Sequence, residues 1–484
     1  MSERRTRADV EAVVGQIRRY VPPMAPYFEI DAPLGEYAAG LHATGADPAH
    51  AERHELLARA VRTVLRQALG PAARVRIEAA DVTAMNIVDH HQLLNHPLLL
   101  GTNIIANADR LLGGDDRRPI ITFSCSNVAP GNSYMRGGFR FREETVPYFT
   151  AKQHRDAIYY TGSRRFDFVE RLRAIKRWDR YSPCDQQFLT EYQLFLNGLD
   201  YSHTGRHRDQ LTVALRSTWP LLFAEPLRAT LPELLYATAE DVTRECLLEL
   251  LPRANFLSAA LFDADFRREV LAAFRGVVIA WDEAAGKGTH FFWRKYPGRP
   301  ELLRMFVDGS SLVPADPRFS DLSVPLEPGA IADHLEREEI IPSVALCMSV
   351  LLHLGVRPLV GPGSLVYIGQ LQRGWTELLR RHGDPVEAEL IGRIDTGGLI
   401  AGTPMFFDRV RGTVRTLHAA DVFSLGGMPP EYLRTVLRVP FRDLLSVGSS
   451  GVYELFANSY IPPGEQLTER IGFDEAAAAI HQWL

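Results

Sequence analysis

Helical and strand patterns alternate along this chain. Residues 8–70 carry apolar positions at helical spacing between polar loops, and Pro22-Pro23 breaks the first helix. At 74–88 the pattern changes: Val75, Ile77, Val82 and the run Met85-Asn86-Ile87-Val88 predict strand. A histidine-rich turn follows, Asp89-His90-His91-Gln92-Leu93-Leu94-Asn95-His96-Pro97. Residues 98–112 then have the length and spacing of a helix, started by Pro97 and ended by Gly113-Gly114. Pro119-Ile120-Ile121-Thr122-Phe123-Ser124 is a short apolar run bounded by loop, the pattern of a buried strand. Strand, loop, helix and strand in this order make a βαβ unit, which predicts a parallel sheet with ligands at the carboxyl ends of its strands.

From 164 to 275 the spacing is helical throughout and predicts a helical insertion with no further sheet. Strand content returns at 276–281 and 290–293, residues 300–330 read as loops, and helices are expected near 331–339 and 341–354. Residues 357–370 carry strand and glycine-rich turn signals, 375–381 is helical, and a last helix covers 473–484. The expected fold is α/β. A Rossmann-like parallel core is built from 71–163 and 331–484, the latter including a C-terminal α+β region. Around it stand an N-terminal helical segment at 1–70, the helical insertion at 164–275 and a connecting β/loop region at 276–330.

Composition adds exclusions. Apolar residues at 46% and charged residues at 23% supply a sizeable core and rule out a disordered, collagenous or disulfide-stapled chain. A net charge of −5 gives no electrostatic case for nucleic acid or an anionic membrane, so small-molecule substrates are the expected partners, with a homodimer through the helical insertion. Cys125, Cys184, Cys246 and Cys347 form no CxxC pair. No apolar stretch follows the charged start Met1-Ser2-Glu3-Arg4-Arg5, and none reaches membrane-spanning length, so a cytoplasmic protein is expected.

Two loops concentrate chemistry. Asp89, His90, His91 and His96, with Asn95, offer imidazoles for proton transfer or metal ligation beside a predicted helix start that favours anions. Asp-His-His also occurs in two-metal phosphoesterases, but those need an earlier Asp-x-Asp, and here Asp263-Ala264-Asp265 comes far downstream. The second loop, 124–138, brings Asn127, Asn132 and Arg136 to a strand end, where amides orient a substrate and a guanidinium grips a carboxylate or phosphate. Cys125 is either a nucleophile beside the imidazoles or a small hydrophobe closing the strand, and the second is the commoner use. A third segment, Gly361 to Leu371, is glycine-rich but fails the dinucleotide fingerprint, because Val366 stands at the third glycine. No phosphate loop is present either.

Three landmarks resemble the bacillithiol-forming cysteine ligase family. Leu93 with Pro97-Leu98 looks like that family's Gln-Gln-x-Gly-Leu-x-x-Gly-Pro-Leu loop. Gly288-Thr289-His290-Phe291-Phe292-Trp293 is similar to a segment in which Gly and Thr precede an apolar strand. Gly361-Pro362 with Tyr367, Gln370 and Leu371 resembles Gly-Pro-x-Glu-Ile-x-Tyr-x-x-Gln-Leu. The resemblance implies a nucleotidyltransferase-like Rossmann core, a connecting domain, a helical arm, and an activity that joins an amino acid to a small acceptor. Asp89-His90 replaces the paired glutamines, Ser364 the glutamate, and Ser124-Cys125-Ser126-Asn127 the acidic-histidine segment. No lysine follows Lys295, so the usual Lys-Met-Ser-Lys-Ser signature is missing; ATP with magnesium fits the scaffold without being required by any motif.

The expected function is a biosynthetic ligase or transferase that condenses an amino acid with a small acceptor. One of His90, His91 and His96 is the general base, and the others stabilise developing negative charge. Asp89 orients an imidazole, Arg136 and Asn127 bind a carboxylate, and Tyr367 and Gln370, beside Gly361, position the acceptor. The rival readings are a metal-dependent hydrolase or lyase using Asp89, His90 and His91 with His154 or His203, and a non-catalytic small-molecule binder.

Overall fold

Short runs of Leu, Ile, Val and Phe, flanked on both faces by helices, bury their side chains completely only when both faces of a sheet are covered. The computed structural model, which describes residues 3–41, 47–93, 100–113, 118–132, 137–410 and 413–480, arranges five such runs as one all-parallel sheet. Its strands are β1 (Ala84–Asn86), β2 (Ile120–Ser124), β3 (Leu234–Thr238), β4 (Arg357–Val360) and β5 (Gly398–Leu399), in the spatial order β3-β2-β1-β4-β5. Register is set by the pairs Ile120 with Leu234, Asn86 with Thr122, Met85 with Pro358, and Leu359 with Gly398. The molecule is therefore mixed α/β with a parallel core, as the alternation of elements predicts.

The helices that matter for the site are α1 (Glu3–Tyr20), α2 (Ala51–Leu69), α3 (His207–Thr218), α4 (Ala239–Leu250), α5 (Val344–His353), α6 (Pro362–Arg381) and α7 (Phe441–Gly451). Helices α2, α3 and α4 pack together at the β3 end of the sheet. Helix α1 packs on α7 and on the last helix, Phe473–Ile480, so the beginning and end of the described chain form one layer. Within that layer Leu34 N–H donates to the Val439 carbonyl (2.8 Å), and Tyr37 stacks on Phe441 at 3.9 Å.

A second five-stranded sheet is antiparallel throughout, in the order 324–325, 311–314, 302–308, 292–295, 340–342. Phe292–Lys295 and Ser311–Pro314 alternate buried with half-buried positions, as a sheet with one face toward the core does.

The structure differs from the sequence reading at several points. Residues 300–330, read as loops from their Pro, Asp and Ser content, carry the strands Leu302–Asp308, Ser311–Pro314 and Val324–Pro325, because their short apolar runs pair in the antiparallel sheet. Residues 164–275 are not helical throughout, because Leu234–Thr238 is the edge strand of the parallel sheet. Leu-Leu-Tyr-Ala-Thr is apolar without period, and such a run fits a buried strand and a buried helix segment equally. The segment read as a glycine-rich turn at 361–371 is the start of the 20-residue helix α6, since proline at a first helical position presets φ and lacks only an N–H that would be unpaired anyway. The single helix expected over 98–112 is two short ones, Thr102–Ile105 and Ala108–Gly113.

Candidate functional site

Strand order locates the crevice. From β1 the chain moves outward through β2 to β3, then returns to the other side of β1 for β4 and β5. The reversal falls between β1 and β4, and in open parallel sheets ligands bind beyond the carboxyl ends of the strands at that point. Four loops meet there. Cys125 N–H donates to the Asp89 carbonyl (3.1 Å) and His91 N–H to the Cys125 carbonyl (2.8 Å), so the loops after β1 and β2 continue the parallel pairing. Ile400 N–H donates to the Val360 carbonyl (2.8 Å), which ties the loop after β5 to β4. A Cβ added to Gly361 would lie 3.1 Å from Val88 Cγ1 and 3.5 Å from Ala401 Cβ. Glycine at the head of α6 thus lets that helix start close against both neighbouring loops.

Asp89 and His91 lie on the loop after β1 and are buried behind this edge. Asp89 is fully buried, and its carboxylate accepts from Thr102 Oγ1 (3.0 Å), Asn103 Nδ2 (3.1 Å) and Tyr236 OH (2.7 Å). Burial pushes its carboxyl up to about 6, even though those three donors pull the other way. Asn86 and Thr122 extend the network to Asn103 Oδ1, at 2.9 and 2.6 Å. His91 is equally buried, and its Nε2–H donates to the Arg208 carbonyl (2.7 Å). Burial lowers its imidazole to about 4, so the ring is neutral and Nδ1 accepts from Ser124 Oγ (2.7 Å). Both ring nitrogens are thereby engaged inside the fold. Asp89 and His91 hold loops in place.

His90 differs. It is half-buried beside Cys125, and its imidazole has no hydrogen-bond partner among the described residues. Burial lowers its pKa, leaving a neutral ring with a free lone pair. Asn127 is held by the Glu240 carboxylate, which accepts from the backbone N–H groups of Ser126 (3.1 Å) and Asn127 (2.9 Å) and from Ser126 Oγ (2.7 Å). The Asn127 carboxamide Nδ2 is itself buried without a partner among the described residues. Burial raises the Cys125 thiol, with Glu240 adding to the rise, so this sulfur is a small core hydrophobe and not an activated thiolate.

Helix α6 supplies the opposite side. Its N-cap Gly361 has no side-chain cap, which leaves first-turn N–H groups for an anion. Tyr367 OH and Ser364 Oγ are 2.8 Å apart. Burial raises the Tyr367 phenol, and Cys125 and Tyr460 add to the rise. Gln370, three residues further along α6, is exposed.

Asn95, His96 and Arg136 lie outside the described residues, as does the Asn132 side chain. His154 packs against Gly131 and Gly137, and His203 covers Gly70, so neither joins Asp89 and His90. No group of three His, Cys, Asp or Glu among the described residues could hold a metal ion. Asp263 caps the helix Ala264–Phe274 by accepting from Asp265 and Phe266 N–H (2.9 and 3.0 Å). No described helix is long and apolar enough to cross a membrane.

Sequence reasoning missed Glu240, Tyr236 and Thr403. Glu240 and Tyr236 fell in the segment read as purely helical, and Thr403, buried with an unpartnered hydroxyl among the described residues, follows a two-residue strand too short to read. No protein-family model matches this chain, and no curated protein matches it.

Proposed function

We propose that the chain is a ligase or transferase that joins an amino acid to a small acceptor on a Rossmann-like core, with its reaction centre at the reversal of strand order between β1 and β4. One observation carries this reading. A neutral imidazole and a buried carboxamide N–H, both without a partner among the described residues, and a helix N-terminus without a side-chain cap belong to loops that meet at one sheet edge. Together they match the needs of an acyl-type condensation.

In this reading His90 is the general base. It takes the proton from the acceptor nucleophile as the new bond to the amino-acid carbonyl carbon forms, and its lowered pKa keeps the lone pair available near neutral pH. Asn127 Nδ2 donates to the amino-acid carboxyl oxygen. Tyr367 positions the acceptor, and Gln370 extends that contact along α6. Asp89 and His91 keep the β1 loop in register with Cys125. The first turn of α6 is where a nucleotide phosphate would be held, and such a group would supply the leaving group for the carboxyl.

The test begins with thermal shift and isothermal titration of the full chain against the common amino acids, with and without ATP and magnesium. Turnover of the amino acids that bind is then followed with amine and hydroxyl acceptors. Replacing His90 by Ala should cut turnover by about 10²–10⁴-fold, the usual contribution of a positioned base, while the melting temperature stays within a few degrees. A His90→Ala protein with full turnover overturns the assignment. Binding without turnover for any amino acid would instead identify a non-catalytic binder.

A further inference from the structure

Away from the sheet edge, the end of α2 and the segment that follows enclose a groove of about 920 Å³, lined by Thr63, Arg66, Gln67, residues 70–76 and His203. Its two walls follow from two periodicities. Thr63, Arg66, Gln67 and Gly70 stand at i, i+3, i+4 and i+7 along one helical face. After a turn at 70–73, closed by Ala73 N–H on the Gly70 carbonyl (3.1 Å), burial alternates: Val75 and Ile77 are buried, while Arg74 and Arg76 are exposed. Arg62 on α2 donates to the Ile77 carbonyl and fixes this segment against the helix. His203 closes one end: a Cβ on Gly70, whose φ is +86°, would lie 2.4 Å from His203 Cδ2.

Charge is concentrated in the groove. Arg66, Arg74 and Arg76 are exposed, and none has an acidic partner among the described residues. Some surface arginines elsewhere, Arg59, Arg216, Arg268 and Arg393 among them, are paired with carboxylates, but here three unpaired ones line one concavity. No Asp or Glu lines the groove, and Asp200, which bears on His203, accepts instead from Ser202 N–H (2.9 Å). Three guanidiniums on facing walls of a concavity, in a chain with a net charge of −5, make a locally positive groove with no carboxylate in its lining; Glu78 is the next exposed position beyond Arg76.

We propose that this groove is a second binding site, separate from the sheet-edge crevice, for a small molecule bearing two or more phosphate groups. Guanidinium forks match phosphate oxygens two at a time, which favours phosphate over a single carboxylate. The volume falls within the range of small-molecule sites. No Phe, Tyr or Trp lines the groove, and its one imidazole, His203, is packed on Gly70, so a nucleic-acid strand would find charge without a row of stacking platforms.

Titration calorimetry of the full chain with inorganic pyrophosphate and inorganic triphosphate at low ionic strength tests this. Saturable binding that is tighter for triphosphate and weakens as salt is raised is expected. Arg74→Gln should weaken it by about tenfold, as loss of one charge-assisted contact does, and Arg66→Gln/Arg74→Gln/Arg76→Gln should abolish it. Exposed positions are chosen so that melting temperature and circular dichroism report an intact fold, and Arg216→Gln, on the surface elsewhere, should bind as the parent does. Three outcomes overturn the proposal: no saturable binding by the parent chain, binding that survives in the triple variant, or an acidic peptide or oligonucleotide that outcompetes triphosphate for these arginines.

Discussion

At the scale of single residues, the strongest statement concerns Asp89, a carboxylate buried among neutral donors. Its folded pKa of about 6 lies above the ordinary value of 3.8, so between those pH values the native state keeps a proton that the unfolded chain releases. The contribution of Asp89 to stability is therefore greatest in acid and declines as pH rises through about 6. In Asp89→Asn that decline is absent. Relative to the parent, the variant should gain up to about 3 kcal/mol between pH 4 and pH 7, whatever its absolute stability. Urea melts of both proteins at four pH values read this directly, and a gap that does not change with pH refutes it. A second contrast isolates packing from backbone strain. Gly355 and Gly383 both have left-handed φ, +73° and +80°, but a Cβ at 355 would sit 2.2 Å from His50 Cγ, whereas one at 383 meets nothing within 4 Å. Both alanine variants should lose about 1–2 kcal/mol for the backbone conformation, and Gly355→Ala should lose more because the buried His50 ring must move. Equal losses would mean that the ring yields freely.

Elements were legible in the sequence where one signal dominated. The run Ile120–Ser124 sits between polar loops and could only be a buried strand, and the loops after β1 and β2 follow from parallel topology. Leu234–Thr238 was not legible, because its neighbours on both sides are helical and it carries no period of its own. The start of α6 was hidden by Gly-Pro-Gly, which signals a turn locally and a helix start only once the following face, Leu365, Ile368 and Leu371, is seen to be buried. Half of the site was therefore visible, the part on loops after readable strands; the residues that hold those loops, Glu240 and Tyr236, act across more than 110 positions of sequence, a separation that no local pattern encodes. The same long reach ties α2 to α5 and to the helix Pro385–Gly392, where Arg53 grips Glu387 with two hydrogen bonds (2.8 and 2.6 Å) and His353 Nδ1 adds a third (2.9 Å). Burial alone would raise the Glu387 carboxyl, but these partners hold it at about 2, below its ordinary 4.5. Its stabilisation is thus present above pH 4.5 and lost as pH falls toward 2. Glu387→Gln should cost about 3 kcal/mol at pH 7 and much less at pH 3, measured by denaturant midpoints; an equal cost at both pH values would show that the ion pairs contribute nothing.

On the scale of the whole molecule, the parallel sheet and the antiparallel one share a continuous apolar core, and a buried charge cluster links them as well. Asp241, in the first turn of α4, accepts from Arg208 Nε (2.8 Å), Arg244 Nη1 (2.7 Å), Tyr159 OH (2.7 Å) and Thr238 Oγ1 (2.6 Å). Glu338, in the turn before the strand Ile340–Pro342, reaches back to Arg208 Nη2 (2.5 Å), Arg206 Nη2 (3.0 Å) and Arg244 Nη1 (3.3 Å). Arg208 also lies over the Tyr159 ring at 3.8 Å, and its own carbonyl accepts from His91 Nε2–H. Burial penalises the Asp241 charge, yet the two guanidiniums keep its pKa below the ordinary range. Such a cluster costs more to break than it contributes when intact, because a removed anion strands buried cations. Asp241 is nearly inaccessible and faces two of them, whereas the Glu338 side chain keeps 20% of its surface in water, where solvent can replace it. Asp241→Asn should therefore cost about 3–5 kcal/mol and Glu338→Gln about 1–2 kcal/mol. The double variant should lose less than the sum of the two, since both act on Arg208 and Arg244. Denaturant melts of the three variants give these values. Strict additivity, or an Asp241→Asn protein as stable as the parent, would mean that the two sheets are held by their apolar contact around Tyr160, Trp293 and Ile341.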